Sequence, residues 1–153
     1  ALRFKNLINK ISNNGHEISS HGSSHKLNNE LSYIDLKDDI KRSKEVLENI
    51  CQREVIGYRA PCFSIEERLL EILSDLKFTY DSSLNKSSLN SRYGKLDRFK
   101  ANSLDPFYLK KYNLIEYQLP VFKINEFYYP ISGGGFGRLT PRYLWKFFIT
   151  QFL

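Results

Sequence analysis

The chain's three histidines are His16, His21 and His25, and the last two bracket His21-Gly22-Ser23-Ser24-His25. On a helical turn, an i, i+4 pair places both imidazoles on one side, where they can share a cation. Neutral imidazole is a common ligand for zinc and related metals. Taken alone, the spacing fits an ordinary surface pair equally well. Two further polar residues close apolar runs. Arg59 precedes Ala60-Pro61 at the end of Val55-Ile56-Gly57-Tyr58, and Asp81 ends Phe78-Thr79-Tyr80. An arginine at such a position can grip a carboxylate through two parallel hydrogen bonds, or it can be a plain surface or helix-capping residue.

These residues need a scaffold that brings them to one edge. Leu2, Leu7, Ile8 and Ile11 recur at helical spacing, with Gly15 as the stop. Glu17-Ile18-Ser19 reads as a short strand leading into His21, and residues 22–31 are polar enough for a loop. Ser32 and Asp35 form a capping-box pattern ahead of the stripe Leu36, Ile40, Leu47 and Ile50, a helix expected to end near Cys51. Residues 55–59 read as a buried strand. Ser64 with Glu67 is a second capping box, opening a helix through Leu69, Leu70, Ile72, Leu73 and Leu76, and residues 78–81 form the next strand. Helix and strand alternate, which predicts an α/β fold with a parallel sheet or barrel.

On that reading His21, Arg59 and Asp81 stand at the carboxyl ends of three successive strands, where α/β folds place their sites. Residues 82–112 lose periodicity and form a long excursion of the kind that shapes an active-site rim. A strand follows at residues 115–119, then the glycine-rich run from Gly133 to Gly137, and a last helix that Thr140 and Pro141 should open. The glycine run lacks the Lys-Ser/Thr of a phosphate loop, which argues against nucleotide binding.

The 153 residues, 41% hydrophobic and 26% charged, fit a single folded domain. No apolar run approaches the ~20 residues of a membrane-spanning helix. The net charge of +6 suits an anionic partner, but the basic residues are scattered and no nucleic-acid motif accompanies them. Two cysteines, Cys51 and Cys62, make neither a disulfide framework nor a CxxC pair, and are compatible with a reducing compartment. Both ends run directly into helical patterns, so the sequence reads as an excerpt of a longer polypeptide; its compartment, cytoplasm or cell envelope, stays open.

Gly15-His16-Glu17-Ile18-Ser19-Ser20-His21-Gly22-Ser23-Ser24-His25 resembles the second motif of the NodB-like polysaccharide deacetylases, and Tyr58-Arg59-Ala60-Pro61 resembles the third. With Tyr80-Asp81-Ser82-Ser83 and Gly133-Gly134-Gly135-Phe136-Gly137-Arg138, the ordered set is similar to a bacterial branch associated with exopolysaccharide synthesis, over roughly residues 6–145. The resemblance implies a distorted (β/α) barrel, incomplete in this chain, and a divalent metal, zinc foremost, held in part by His21 and His25. It implies that Arg59 orients a catalytic aspartate and that the Cys62 backbone N–H helps to stabilise an oxyanion. The implied reaction is hydrolysis of N-acetyl groups on amino sugars of a polysaccharide or its precursor.

Asp81 is carried as a further catalytic candidate, and Phe63, Phe136 and Arg138 as candidate sugar contacts, with Tyr128 and Tyr129 able to stack on a ring. His16 is expected to be a buried structural residue. Two departures stand out. The family's Asp-Asp motif has no counterpart, since residues 1–16 contain neither Asp nor Glu, and no histidine follows His25 to act as general acid. Glu17 and Asp81 are poor substitutes for the missing ligand, so the excerpt alone is expected to be inactive. The alternative is a glycan-binding descendant that keeps the fold without the chemistry.

Overall fold

The computed structural model describes residues 1–87, 92–94, 96, 106–125, 127–130, 138 and 140–150. A single 3-10 turn leads into helix α1 (Lys5–Asn13), which ends as Gly15 enters the left-handed region at φ +85°. Helix α2 (Tyr33–Cys51) opens as expected: the Ser32 Oγ accepts from the Asp35 N–H, and Gln52 closes the helix in the left-handed conformation. Helix α3 spans Glu67–Asp75. The Ser64–Glu67 capping box does not form. The Ser64 hydroxyl instead donates to the Pro61 carbonyl at 2.7 Å and accepts from the Asn28 N–H at 2.9 Å, tying the loop after the histidines to the turn after Arg59.

The sheet is open and mixed, in the order β1 (Gly57–Tyr58), β2 (Tyr80–Asp81), β4 (Leu114–Glu116), β3 (Phe107–Leu109). The β1–β2 and β2–β4 pairs are parallel and β3 is antiparallel. This is the α/β architecture that the alternation predicts, with the sheet unclosed. The strand expected over residues 17–19 is reduced to one parallel bridge between Ser20 and Tyr58, made by Ser20 N–H to Gly57 O and Arg59 N–H to Ser20 O. Among the described residues this segment gains ladder bonds on one side only.

Register decides which side chains face the helices. Tyr58, Asp81 and Glu116 lie in one cross-strand row, and Gly57, Tyr80 and Ile115 in the next. Successive side chains along a strand point to opposite faces, so the first row looks toward α2 and α3. There Leu36, Ile40, Leu69, Leu70, Ile72 and Leu73 pack with Val55, Tyr58, Phe78 and Leu114 into one core. Each such buried aliphatic side chain contributes roughly 1.5–3 kcal/mol. In the opposite row Gly57 is buried, and Tyr80 and Ile115 are half-buried.

After β4 comes an antiparallel hairpin that the sequence reading did not foresee, β5 (Val121–Ile124) with β6 (Phe127–Pro130). The last helix, α4 (Arg142–Thr150), starts where Thr140-Pro141 predicts, with the Pro141 carbonyl accepting from the Leu144 and Trp145 N–H groups. Among the described residues, no helix is long and apolar enough to cross a membrane.

Candidate active site

His21 and His25 do come together, though by another route than a helical turn. Residues 21–27 form an irregular loop. Gly22 at φ +76° and His25 at φ +58° both adopt the left-handed conformation. Together they curl the chain until the two rings meet edge to face, 5.0 Å between centroids and 73° between planes. The curl is held from below by Asp39 on α2. Its carboxylate accepts from the Ser23 N–H at 2.8 Å and from the Ser24 N–H at 2.9 Å. Gly22 is required twice over, because a Cβ there would stand 3.0 Å from the same carboxylate. The sequence analysis does not single out Asp39, because its partners are backbone N–H groups 15 and 16 positions away.

The His21 Nδ1 lies 2.6 Å from the Arg59 carbonyl oxygen. A carbonyl can only accept, so Nδ1 carries the proton and the Nε2 lone pair is left for a ligand. A backbone carbonyl oriented on the far nitrogen is the usual support of a metal-binding imidazole. The donor set therefore fits two ligands of a zinc-like ion. Among the described residues, no group of three His, Cys, Asp or Glu side chains is placed to hold a metal.

Arg59 is exposed and anchored to the end of β2. Its Nε–H donates to the Ser82 carbonyl at 2.9 Å and an Nη2–H to the Ser82 hydroxyl at 2.7 Å. Ser82 Oγ donates onward to the Tyr117 carbonyl at 3.0 Å. Guanidinium carries five donors, so this anchoring leaves Nη1 for an anion. Ser19, Ser20, His21, Tyr58, Arg59, Tyr80 and Ser82 line a cleft of about 480 Å³. Ser19 and His21 also face a second cleft of about 540 Å³, bordered by residues of α1 and α2. On the cleft floor the Tyr80 hydroxyl donates to Glu17 at 2.6 Å and lies 2.9 Å from Ser19 Oγ. Burial, then the Glu17 carboxylate, raises the Tyr80 phenol above its ordinary value. The Tyr80 ring lies where a Cβ at position 57 would sit, which is why β1 carries glycine there.

Asp81 is not on the rim. It is fully buried on the helix side of the sheet, beside Glu116, which is buried as well. Its place in the Tyr58 row turns it away from Arg59 and His21. Burial raises both carboxyls above the ordinary range, and the Asp81 charge raises Glu116 further. His16 is likewise misplaced by the sequence reading: it is exposed. Glu17 faces Ser19 and Tyr80.

The Cys62 position is conformationally marked. Cys62 and Phe63 are both left-handed, at φ +48° and +56°, in the tight turn after Pro61. Phe63 stacks edge to face on Tyr93 at 5.4 Å. Arg138 is exposed, and Phe136 with the glycine run lies outside the described residues. Of the expected stacking residues, Tyr129 is exposed and Tyr128 half-buried, both in β6.

A family model described as polysaccharide deacetylase matches residues 1–80, which include His21, His25 and Arg59. The chain belongs to the polysaccharide deacetylase family. Among solved structures it is similar to a candidate polysaccharide deacetylase from Mycobacterium smegmatis, with a TM-score of 0.61 and 24% identity. That match covers 88% of this chain and 44% of the other, so the chain spans less than half of its structural relative. At this identity the match speaks to the deacetylase fold. No curated protein matches the chain.

Proposed function

We propose that this polysaccharide deacetylase chain serves the metal-dependent removal of N-acetyl groups from amino sugars of a bacterial polysaccharide or its precursor, in an exopolysaccharide setting. One observation carries the reading: His21 and His25 converge while Arg59 O fixes the His21 tautomer that leaves Nε2 free. A divalent metal, zinc first, would be held by those two imidazoles, and when bound it supplies Lewis-acid activation of water and of the acetyl carbonyl.

The chain's own residues do the rest. Arg59, braced by Ser82, orients a carboxylate through its remaining donors. The Cys62 N–H makes no hydrogen bond to any described residue and is the candidate oxyanion donor. Phe63, Phe136 and Arg138 are the candidate sugar contacts. Asp81, buried beneath the sheet, is withdrawn from the catalytic set.

The test is acetate release from N-acetylglucosamine oligomers by the full-length protein loaded with zinc, alongside H21A and H25A. Release that both substitutions abolish supports the reading. Oligomer binding with no acetate released, with or without metal, would replace it by a glycan-binding descendant.

A further inference from the structure

Beneath the cleft, the carboxyl groups of two neighbouring strands are buried side by side, and among the described residues neither makes an ion pair with a cation. Asp81 and Glu116 are register partners of β2 and β4, and neither has any exposed surface. One oxygen of each is committed. Glu116 Oε1 accepts from the Ser83 N–H at 3.1 Å and the Leu84 N–H at 2.9 Å. Asp81 Oδ1 accepts from the Ser83 hydroxyl at 2.6 Å. Asp81 Oδ2 and Glu116 Oε2, buried on register partners of adjacent strands, have no hydrogen-bond partner among the described residues. Two facing acceptors, sealed from water, are satisfied by one proton between them, whereas two adjacent charges there would be severely penalised.

The pair is wired to the site. Ser83 Oγ, held by Asp81, accepts from the Ala60 N–H at 2.7 Å. Its neighbour Ser82 grips the Arg59 guanidinium through both its carbonyl and its hydroxyl. Arg59 O in turn fixes the His21 ring. Glu116 therefore clamps the backbone of Ser83 and Leu84, and Asp81 clamps the Ser83 side chain, so that the turn cannot shift without releasing Arg59.

We propose that Asp81 and Glu116 are positioning residues that share a single proton and lock the Ser82–Ser83 turn, which sets Arg59 and, through its carbonyl, His21. The functional weight of this lock rests on the reading of His21 and Arg59 as the working rim; the lock itself is testable without substrate or metal.

The shared proton makes an uncommon demand on isosteric variants. In E116Q the amide donates to the Asp81 carboxylate, and in D81N the amide donates to Glu116. Each single variant keeps one donor facing one acceptor. In D81N/E116Q the acceptor oxygens stay committed to Ser83 and Leu84, so two amide NH2 groups confront each other.

Hydrogen exchange by NMR on the full-length protein reads the consequence at the Ala60 amide and the Arg59 Nε–H. Each single variant is expected to leave both rates within about twofold, and the double variant to raise both by about tenfold or more, with the Ile40 and Leu70 amides of α2 and α3 unchanged. A general loss of structure would accelerate the helix amides too. If the double variant does not fold, S83A takes its place: it keeps both carboxyls and removes only the hydroxyl link, and the same local acceleration is expected. Unchanged rates in the folded double variant or in S83A overturn the proposal, as does an E116Q variant as loose as the double. Failure of the deacetylase reading would appear as absent acetate release and leaves these rates untouched.

Discussion

The Asp39 carboxylate on α2 holds the two backbone N–H groups that follow Gly22, at 2.8 and 2.9 Å. A helix residue thus fixes the shape of a loop whose ends are the candidate metal ligands. The His21–His25 convergence depends on that clamp, because the loop has no helical hydrogen bonds to hold it.

Replacing Asp39 with Ala should therefore loosen the histidine pair without touching it. Both N–H groups are exposed and water replaces the acceptor, so the stability cost is modest, roughly 0.5–1.5 kcal/mol. Zinc affinity should fall by about tenfold or more, in the range seen when supports of metal ligands are removed. Titration calorimetry on D39A and D39N measures it. G22A should resemble D39A, since its Cβ would meet the same carboxylate and an L side chain at φ +76° is strained. Wild-type zinc affinity in both variants would show that the loop holds itself.

Much of this arrangement was legible in the sequence, and the misses have definite physical causes. Apolar periodicity and the Ser32 cap placed α2 correctly, and the strand–helix alternation gave the parallel sheet, because both are local signals. Asp81 was misplaced by one residue of parity. Lying at a strand end says nothing about which face a side chain takes, and only the Gly57–Tyr80 and Tyr58–Asp81 pairings set it. Glu116 falls in the strand expected over residues 115–119 with nothing to mark it, because its partner comes from a strand 35 positions away in sequence (116 minus 81). Ser64 failed as a cap because Asn28 and Pro61 compete for its hydroxyl, a tertiary contact no local pattern encodes.

The guanidinium at position 59 is expected to resist conservative replacement. Arg59 spends Nε and Nη2 on Ser82 and still presents Nη1. Lysine offers a single rotatable ammonium, which cannot brace on Ser82 and reach an anion in fixed geometry. R59K should fold with near-wild-type stability, since the side chain is exposed. If the full-length protein has the proposed activity, R59K should lower kcat by about a hundredfold, within the span of a lost oriented charged donor, while KM changes little. Steady-state acetate release separates the two constants. A KM effect with unchanged kcat would instead make Arg59 a substrate-binding residue.

Finally, the buried carboxyl pair should give stability an inverted pH dependence for acidic groups. Burial raises Glu116 well above the ordinary carboxylate range and raises Asp81 too. The folded chain therefore holds a proton that the unfolded chain has released once pH exceeds about 4–5. With fewer protons bound unfolded than folded, unfolding free energy falls as pH rises, by at most about 1.4 kcal/mol per pH unit for one proton. This contribution is complete below the ordinary carboxylate range and drains away as pH climbs through neutrality toward the folded-state titration of Glu116. E116Q carries its donor permanently, so it should gain on wild type steadily between about pH 5 and pH 8. Urea midpoints for the two proteins across that interval, with unchanged slope m, measure the gap. Parallel curves would mean that the pair is ionised in the folded chain and that no proton lies between Asp81 and Glu116.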